Sequence, residues 1–298
     1  MRNPVQVIRE ARRLLDEMGI AGPPTPIDDC VAYADLTIEQ QIPLGSLPPE
    51  KYRALLDYKV FALTMERVFG LYDPTTSTIY LKADMTPGRR SFVTLHEVGH
   101  GWLPWQRLLA AHPDGIENLT PTERQRRKDE NEWQANVFAT ETLFQLDRFE
   151  LEAREMPFEL QSAVQLATRY GASIHASLRR YVERHEQRAV LLVLEVLPTI
   201  RAGKIQYRVL ASHRSPSFHQ RYRRWRAPTW ISETVVRPLL TRKFVTDLPQ
   251  ELYIEGDMEI IPVALQGLHN AHNLLLFGRP KDGQRVPHRA PSRILRTR

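Results

Sequence analysis

The chain is short of several things, and each shortage closes off a class of protein. Cys30 is the only cysteine among 298 residues, so no disulfide can form within the chain and the cytoplasm is the expected compartment. Cys30 falls in the apolar pattern of Ile27, Val31 and Ala34, as a small buried residue does and a nucleophile does not. No apolar run reaches the roughly 18 residues that a membrane span requires, and the Arg-rich start lacks the apolar core of a signal peptide. Acidic residues are the minority charge, 35 Asp and Glu against 41 Lys and Arg, which leaves a net charge of +6 and a pI near 9.5. A chain of this length buries a substantial core, and two domains are expected.

What is present is concentrated in His96-Glu97-Val98-Gly99-His100. On a helix, imidazoles at i and i+4 project from one face and can grip one ion. Glu97, beside the first, can take a proton from water activated by that ion without being a ligand itself. With ten His in the chain the pattern can arise by accident, so its flanks decide. Thr86-Pro87 suits an N-cap followed by the first helical position. Phe92, Leu95, Val98, Gly99 and Leu103 recur at helical spacing and give the segment an apolar side. Pro104 cannot continue the hydrogen-bond ladder, so the helix is predicted to end or kink at Trp102 or Leu103.

A catalytic zinc site wants three protein ligands and an open position. The extended pattern, with glycine and a third histidine after His100, is excluded because those places hold Leu103 and Gln106. Thr120-Pro121-Thr122-Glu123 reads as a capping box that opens a long helix. On it Glu132, Ala135, Asn136, Ala139 and Leu143 share a face, with Glu132 the only carboxylate in the stripe. Asn136, one turn after Glu132, has two readings: a hydrogen-bond partner for a ligand imidazole, or an amide that packs helices.

Ser91-Phe92-Val93-Thr94-Leu95-His96-Glu97-Val98-Gly99-His100, with Glu132-Trp133-Gln134-Ala135-Asn136-Val137-Phe138-Ala139, resembles the paired helices of the ImmA/IrrE metallopeptidase family. Gly70-Leu71-Tyr72-Asp73-Pro74 and Ile79-Tyr80-Leu81 are similar to that family's strand before the metal helix. The resemblance covers roughly residues 1 to 185. It implies zinc held by His96, His100 and Glu132, with Glu97 as general base. Two His and one Glu also accept manganese, iron or cobalt. The implied substrate is a protein partner, a transcriptional repressor of helix-turn-helix type, cut in stress response or in the regulation of a mobile element or defence system.

The expected fold is α+β: a zincin-like metallopeptidase core over 1–150, a helix-turn-helix-like helical segment over 151–188, a β-rich domain over 189–280 and a basic flexible tail over 281–298. Val5, Ile8, Ala11, Leu15 and Met18 mark a first amphipathic helix closed by Gly19, and Gly22 to Pro26 form a stiff connector. Thr37 to Leu44 and Thr78 to Lys82 read as strands. In zinc peptidases of this general kind such a strand often pairs with extended substrate, which makes Thr78, Ile79, Tyr80 and Leu81 a candidate substrate edge. Val190 to Leu197, Ile205 to Ala211, Met258 to Leu265 and Asn273 to Phe277 read as further strands. No metal, nucleotide or nucleophile motif lies among them. Some relatives carry a sensing module in this place, so by analogy this part senses a signal or recognises a partner.

Ala167, Gly171 and Leu178 have helix-turn-helix spacing, with Arg179 and Arg180 in reach of phosphates, although helix packing explains the same pattern. Arg221-Tyr222-Arg223-Arg224-Trp225-Arg226 interleaves cations with aromatics, a composition suited to phosphate contact and base stacking, or else a solvated basic face. Two functions from different classes follow: a zinc endopeptidase that acts on a protein partner, and a DNA-binding or ligand-sensing regulator whose zinc site is structural or inactive.

Overall fold

A computed structural model describes residues 3–39, 69–111, 120–242, 244–255 and 260–281. The strand expectation beyond Glu39, Met258 and the basic tail past Lys281 lie outside the described residues. Contacts divide the chain into two compact units, Met1–Phe149 with Arg169–Ser173 and Glu150–Thr168 with Ile174–Arg298.

In the first unit, helix α1 (Val5–Glu17) buries Val7, Ala11, Leu14 and Leu15 along one stripe. Gly19, in the left-handed conformation at φ 62°, turns the chain out of it. Helix α2 (Ile27–Tyr33) buries Cys30 and Val31. Strands β1 (Thr37–Glu39), β2 (Gly70–Asp73) and β3 (Thr78–Leu81) make a small sheet in the order β1-β3-β2. This order corrects the expected substrate edge. Thr78, Ile79, Tyr80 and Leu81 form the central strand, paired in parallel with β1 on one side and antiparallel with β2 on the other. A strand hydrogen-bonded on both sides has no row of unpaired amides and carbonyls to offer a peptide.

Helix α3 (Pro87–Trp102) starts with Pro87 in its first turn and stops where expected, with Leu103 extended at ψ 115° and Pro104 opening helix α4 (Pro104–Ala111). Thr86 occupies the N-cap, but its side chain makes no capping bond. Helix α5 (Pro121–Leu143) opens on the predicted capping box, in which the Glu123 amide donates to Thr120 Oγ1 at 3.3 Å and the Thr120 amide donates to Glu123 Oε2 at 2.9 Å. α3 and α5 meet closely at Gly99. A Cβ added there would lie 3.1 Å from Phe138 Cδ1 and 3.3 Å from Ala135 Cα, so the small residues set the distance between the two helices. The Gly22–Pro26 connector is pinned to the end of α5: Thr25 Oγ1 donates to the Thr142 carbonyl at 2.9 Å, and Gln145 Nε2 donates to the Gly22 carbonyl at 2.9 Å.

The second unit combines helices α6 (Arg148–Glu155), α7 (Leu160–Arg169) and α8 (Ile174–Arg184) with a sheet of strands β4 to β10. These are β4 (Val190–Leu194), β5 (Thr199–Arg201), β6 (Lys204–Arg214), β7 (Trp230–Ser232), β8 (Thr246–Glu255), β9 (Ile260–His269) and β10 (Leu274–Pro280). Their order is β5-β6-β4-β10-β9-β8, with β7 also on β6, and every pairing is antiparallel. Alternate residues go to opposite faces. Val190, Leu192, Leu194, Leu274 and Leu276 pack under helices α9 (Pro216–Arg221) and α10 (Glu233–Leu240). On the other face Phe277 meets Phe158 at 5.3 Å and Tyr181 at 6.3 Å between ring centroids. Central strands covered on both faces explain why β4 reads as an unbroken apolar run.

Candidate metal centre

Helix α3 carries His96, Glu97 and His100, and α5 brings Glu132 against them. Nε2 of His96 and Nε2 of His100 are 3.2 Å apart. Glu132 Oε2 is 3.3 Å from His96 Nε2, and its Oε1 is 3.8 Å from His100 Nε2. Four donors placed tetrahedrally about 2.05 Å from one ion stand about 3.3 Å from each other, and these separations are of that size. The chemistry agrees with the spacing, since borderline nitrogen and hard oxygen donors suit a divalent first-row cation. The three residues form a group that can hold a metal ion. Both rings are largely buried, while the Glu132 side chain is 50% exposed, so solvent reaches the group from the carboxylate side.

Electrostatics separates the four titratable groups. Burial lifts the Glu97 carboxyl to about 7, against the opposing pull of His96 and with help from the Glu132 charge, while the Tyr72 backbone amide favours the ionised form. Gly70 leaves the room for this side chain, since a Cβ there would fall 2.7 Å from Glu97 Oε1. Burial and the neighbouring His96 push His100 down to about 4, against Glu132 and Gln106. For His96 burial again disfavours the charged ring, but Glu132, Glu97 and Asn136 outweigh it and raise its proton affinity. Hydrogen bonding to His96 holds Glu132 below the usual carboxylate range, despite burial and with further help from His100 and Lys128. Asn136 is close enough to His96 to affect it, but no hydrogen bond of ordinary geometry joins them, and His96 Nδ1 is buried without a partner.

The basic residues proposed for nucleic acid divide. Arg179 is exposed and pairs with Glu183 at 3.1 Å. Arg180 is 6% exposed and pairs with Glu150 at 2.9 Å, so it cannot meet a phosphate; a buried guanidinium needs its carboxylate. Arg221, Arg223, Arg224 and Arg226 are exposed. The aromatics between them are not: Tyr222 and Trp225 pack with Phe218 in the core. Base stacking by this segment is thereby ruled out, because i, i+4, i+7 spacing from Phe218 turns both rings inward. Sequence reasoning passed over Gln106, whose carboxamide oxygen lies 2.7 Å from His100 Nδ1. No motif marks it.

Two helices thus bring His96, His100 and Glu132 together, beside the buried Glu97 carboxyl, in a group that can hold a metal ion. Residues 58–181 match the family model described as the IrrE N-terminal-like domain of Peptidase_M78. A solved structure of a Mycobacterium tuberculosis transcriptional regulator has the same overall fold, with a TM-score of 0.51 at 13% identity over 93% of this chain and 88% of that one. No curated protein matches the chain.

Proposed function

We propose that the protein is a zinc-dependent endopeptidase that cuts a protein partner, with His96, His100 and Glu132 as ligands. The observation that carries this reading is the tetrahedron-sized spacing of three donors beside the buried Glu97 carboxyl. Zinc bound there would polarise the scissile carbonyl and acidify water. Glu97, held at about 7, is matched to accept a proton at neutral pH and return it to the leaving amine. His100 stays neutral and keeps a lone pair for the ion. Asn136 would accept a hydrogen bond from His96 Nδ1 when Nε2 of that ring binds the ion. Residues 1–150 would carry catalysis and 189–280 recognition of a signal or partner. The structural likeness to a transcriptional regulator, together with the basic charge, supports a repressor of helix-turn-helix type as substrate, cut in stress response or in mobile-element or defence control, in the cytoplasm.

That same neighbour also favours a second reading, a regulator whose metal site is structural. Glu97→Gln separates the two, because hydrolysis needs the carboxylate and a structural site does not. Zinc-loaded parent and variant are incubated with a peptide library, and new termini are counted by mass spectrometry. The variant is expected to bind zinc like the parent and lose roughly 10²–10⁴-fold in cleavage. Equal cleavage by the two would contradict the assignment.

A further inference from the structure

His100 is held from behind as well as from the side that faces Glu132. Its Nδ1 lies 2.7 Å from Oε1 of Gln106, a buried side chain. The Gln106 amide has no freedom to turn over. Its Nε2 donates to the Asn131 carbonyl at 3.2 Å and to Gln134 Oε1 at 3.0 Å. Gln134 Oε1 also accepts from Trp105 Nε1 at 2.7 Å, and Gln134 Nε2 donates to Glu130 Oε1 at 3.3 Å, so the second amide is fixed as well. Reversing Gln106 would set its oxygen against two acceptors. The oxygen therefore faces His100, and a neutral imidazole has one arrangement that satisfies it: the proton on Nδ1 and the lone pair on Nε2, directed at His96 and Glu132. The other tautomer would aim an N–H at the point where the three donors converge.

The path of the chain makes this contact. α3 ends with Leu103 extended, and α4 restarts at Pro104 with the Gln106 amide donating to the Leu103 carbonyl. That break carries position 106 round to the Nδ1 side of His100, where an unbroken extended motif would instead supply a third ligand to the ion. Gln106 then grips Asn131 and Gln134, which flank Glu132 on α5.

We propose that Gln106 is a positioning residue that fixes the metal-binding tautomer of His100 and ties it to the helix bearing Glu132. The inference rests on reading His96, His100 and Glu132 as a metal site. Two readouts on the full chain test it: the tautomer of His100 in ¹⁵N-labelled metal-free protein at pH 7, assigned against His100→Gln, and zinc affinity by chelator competition. The parent is expected to show the Nδ1–H form. Gln106→Leu should give a mixture or the opposite form and bind zinc roughly 10–100-fold more weakly. A parent in the Nε2–H form overturns the proposal even if Gln106→Leu fails to fold. Parental tautomer and zinc affinity in a folded Gln106→Leu overturn it too, leaving the metal site intact. Absence of zinc binding by the parent overturns the metal reading and this inference with it.

Discussion

A carboxyl held at about 7 and an imidazole held at about 4 sit within one helical turn of each other, and a third group, His96, binds its proton more tightly than a free imidazole does. Zinc requires both rings neutral. Through the neutral range His100 has already lost its proton, so the competing proton is the one on His96, whose pKa is raised. Metal affinity should therefore tighten as pH rises from 6 to 8, with a proton released on binding. Chelator competition at several pH values checks this, and a flat profile contradicts it. His96, Glu97 and His100 were legible in the sequence because i, i+4 spacing is local geometry. Glu132 was legible because its helix face holds one carboxylate. Gln106 was not, since its role depends on how the chain turns at Leu103 and Pro104, which no local pattern specifies.

Helices α3 and α5 set the site by how closely they approach. A side chain at 99 must push on Phe138 or on the backbone at Ala135, and interiors this well packed resist such displacement. Gly99→Val is expected to destabilise the fold by about 1–3 kcal/mol and to weaken zinc binding by separating Glu132 from the rings; thermal melts and zinc titration read the two effects. Thr25→Ala removes a buried bond to the Thr142 carbonyl without touching the site. It should cost about 1–2 kcal/mol in urea unfolding and leave zinc affinity unchanged. The capping box, the proline stop and the apolar faces of these helices followed from local sequence. The central position of β3 did not, because strand order is decided by long-range pairing with Thr37–Glu39 and Gly70–Asp73. Likewise, the rings of Tyr222 and Trp225 turn inward to a core assembled from strands before and after them.

The second unit should be acid-sensitive. In the second unit burial lowers the pKa of His175, with the charges of His213 and Arg179 adding to it. Burial also lowers His185, which is stacked 4.0 Å from Phe158; Gln187 donates to His185 Nδ1, and protonation there would break that bond. Unfolding lets both rings return to about 6.5 and bind protons the folded state refuses. Stability is thus complete above that value and declines as pH falls below it toward the depressed folded values. The melting transition of the second unit should move down between pH 7.5 and 5.5, and His185→Phe, which keeps a ring against Phe158, should flatten the decline.

Composition announced the basic charge but not its distribution, since pairing with Glu150 and Glu183 becomes visible only once α6 and α8 are folded. The central claim is convergence of three side chains from two distant segments on one cation. Zinc titration of the parent against Glu132→Ala tests it most directly: one equivalent bound by the parent, and affinity at least about 10-fold weaker in the variant. Identical binding by the two proteins would contradict it.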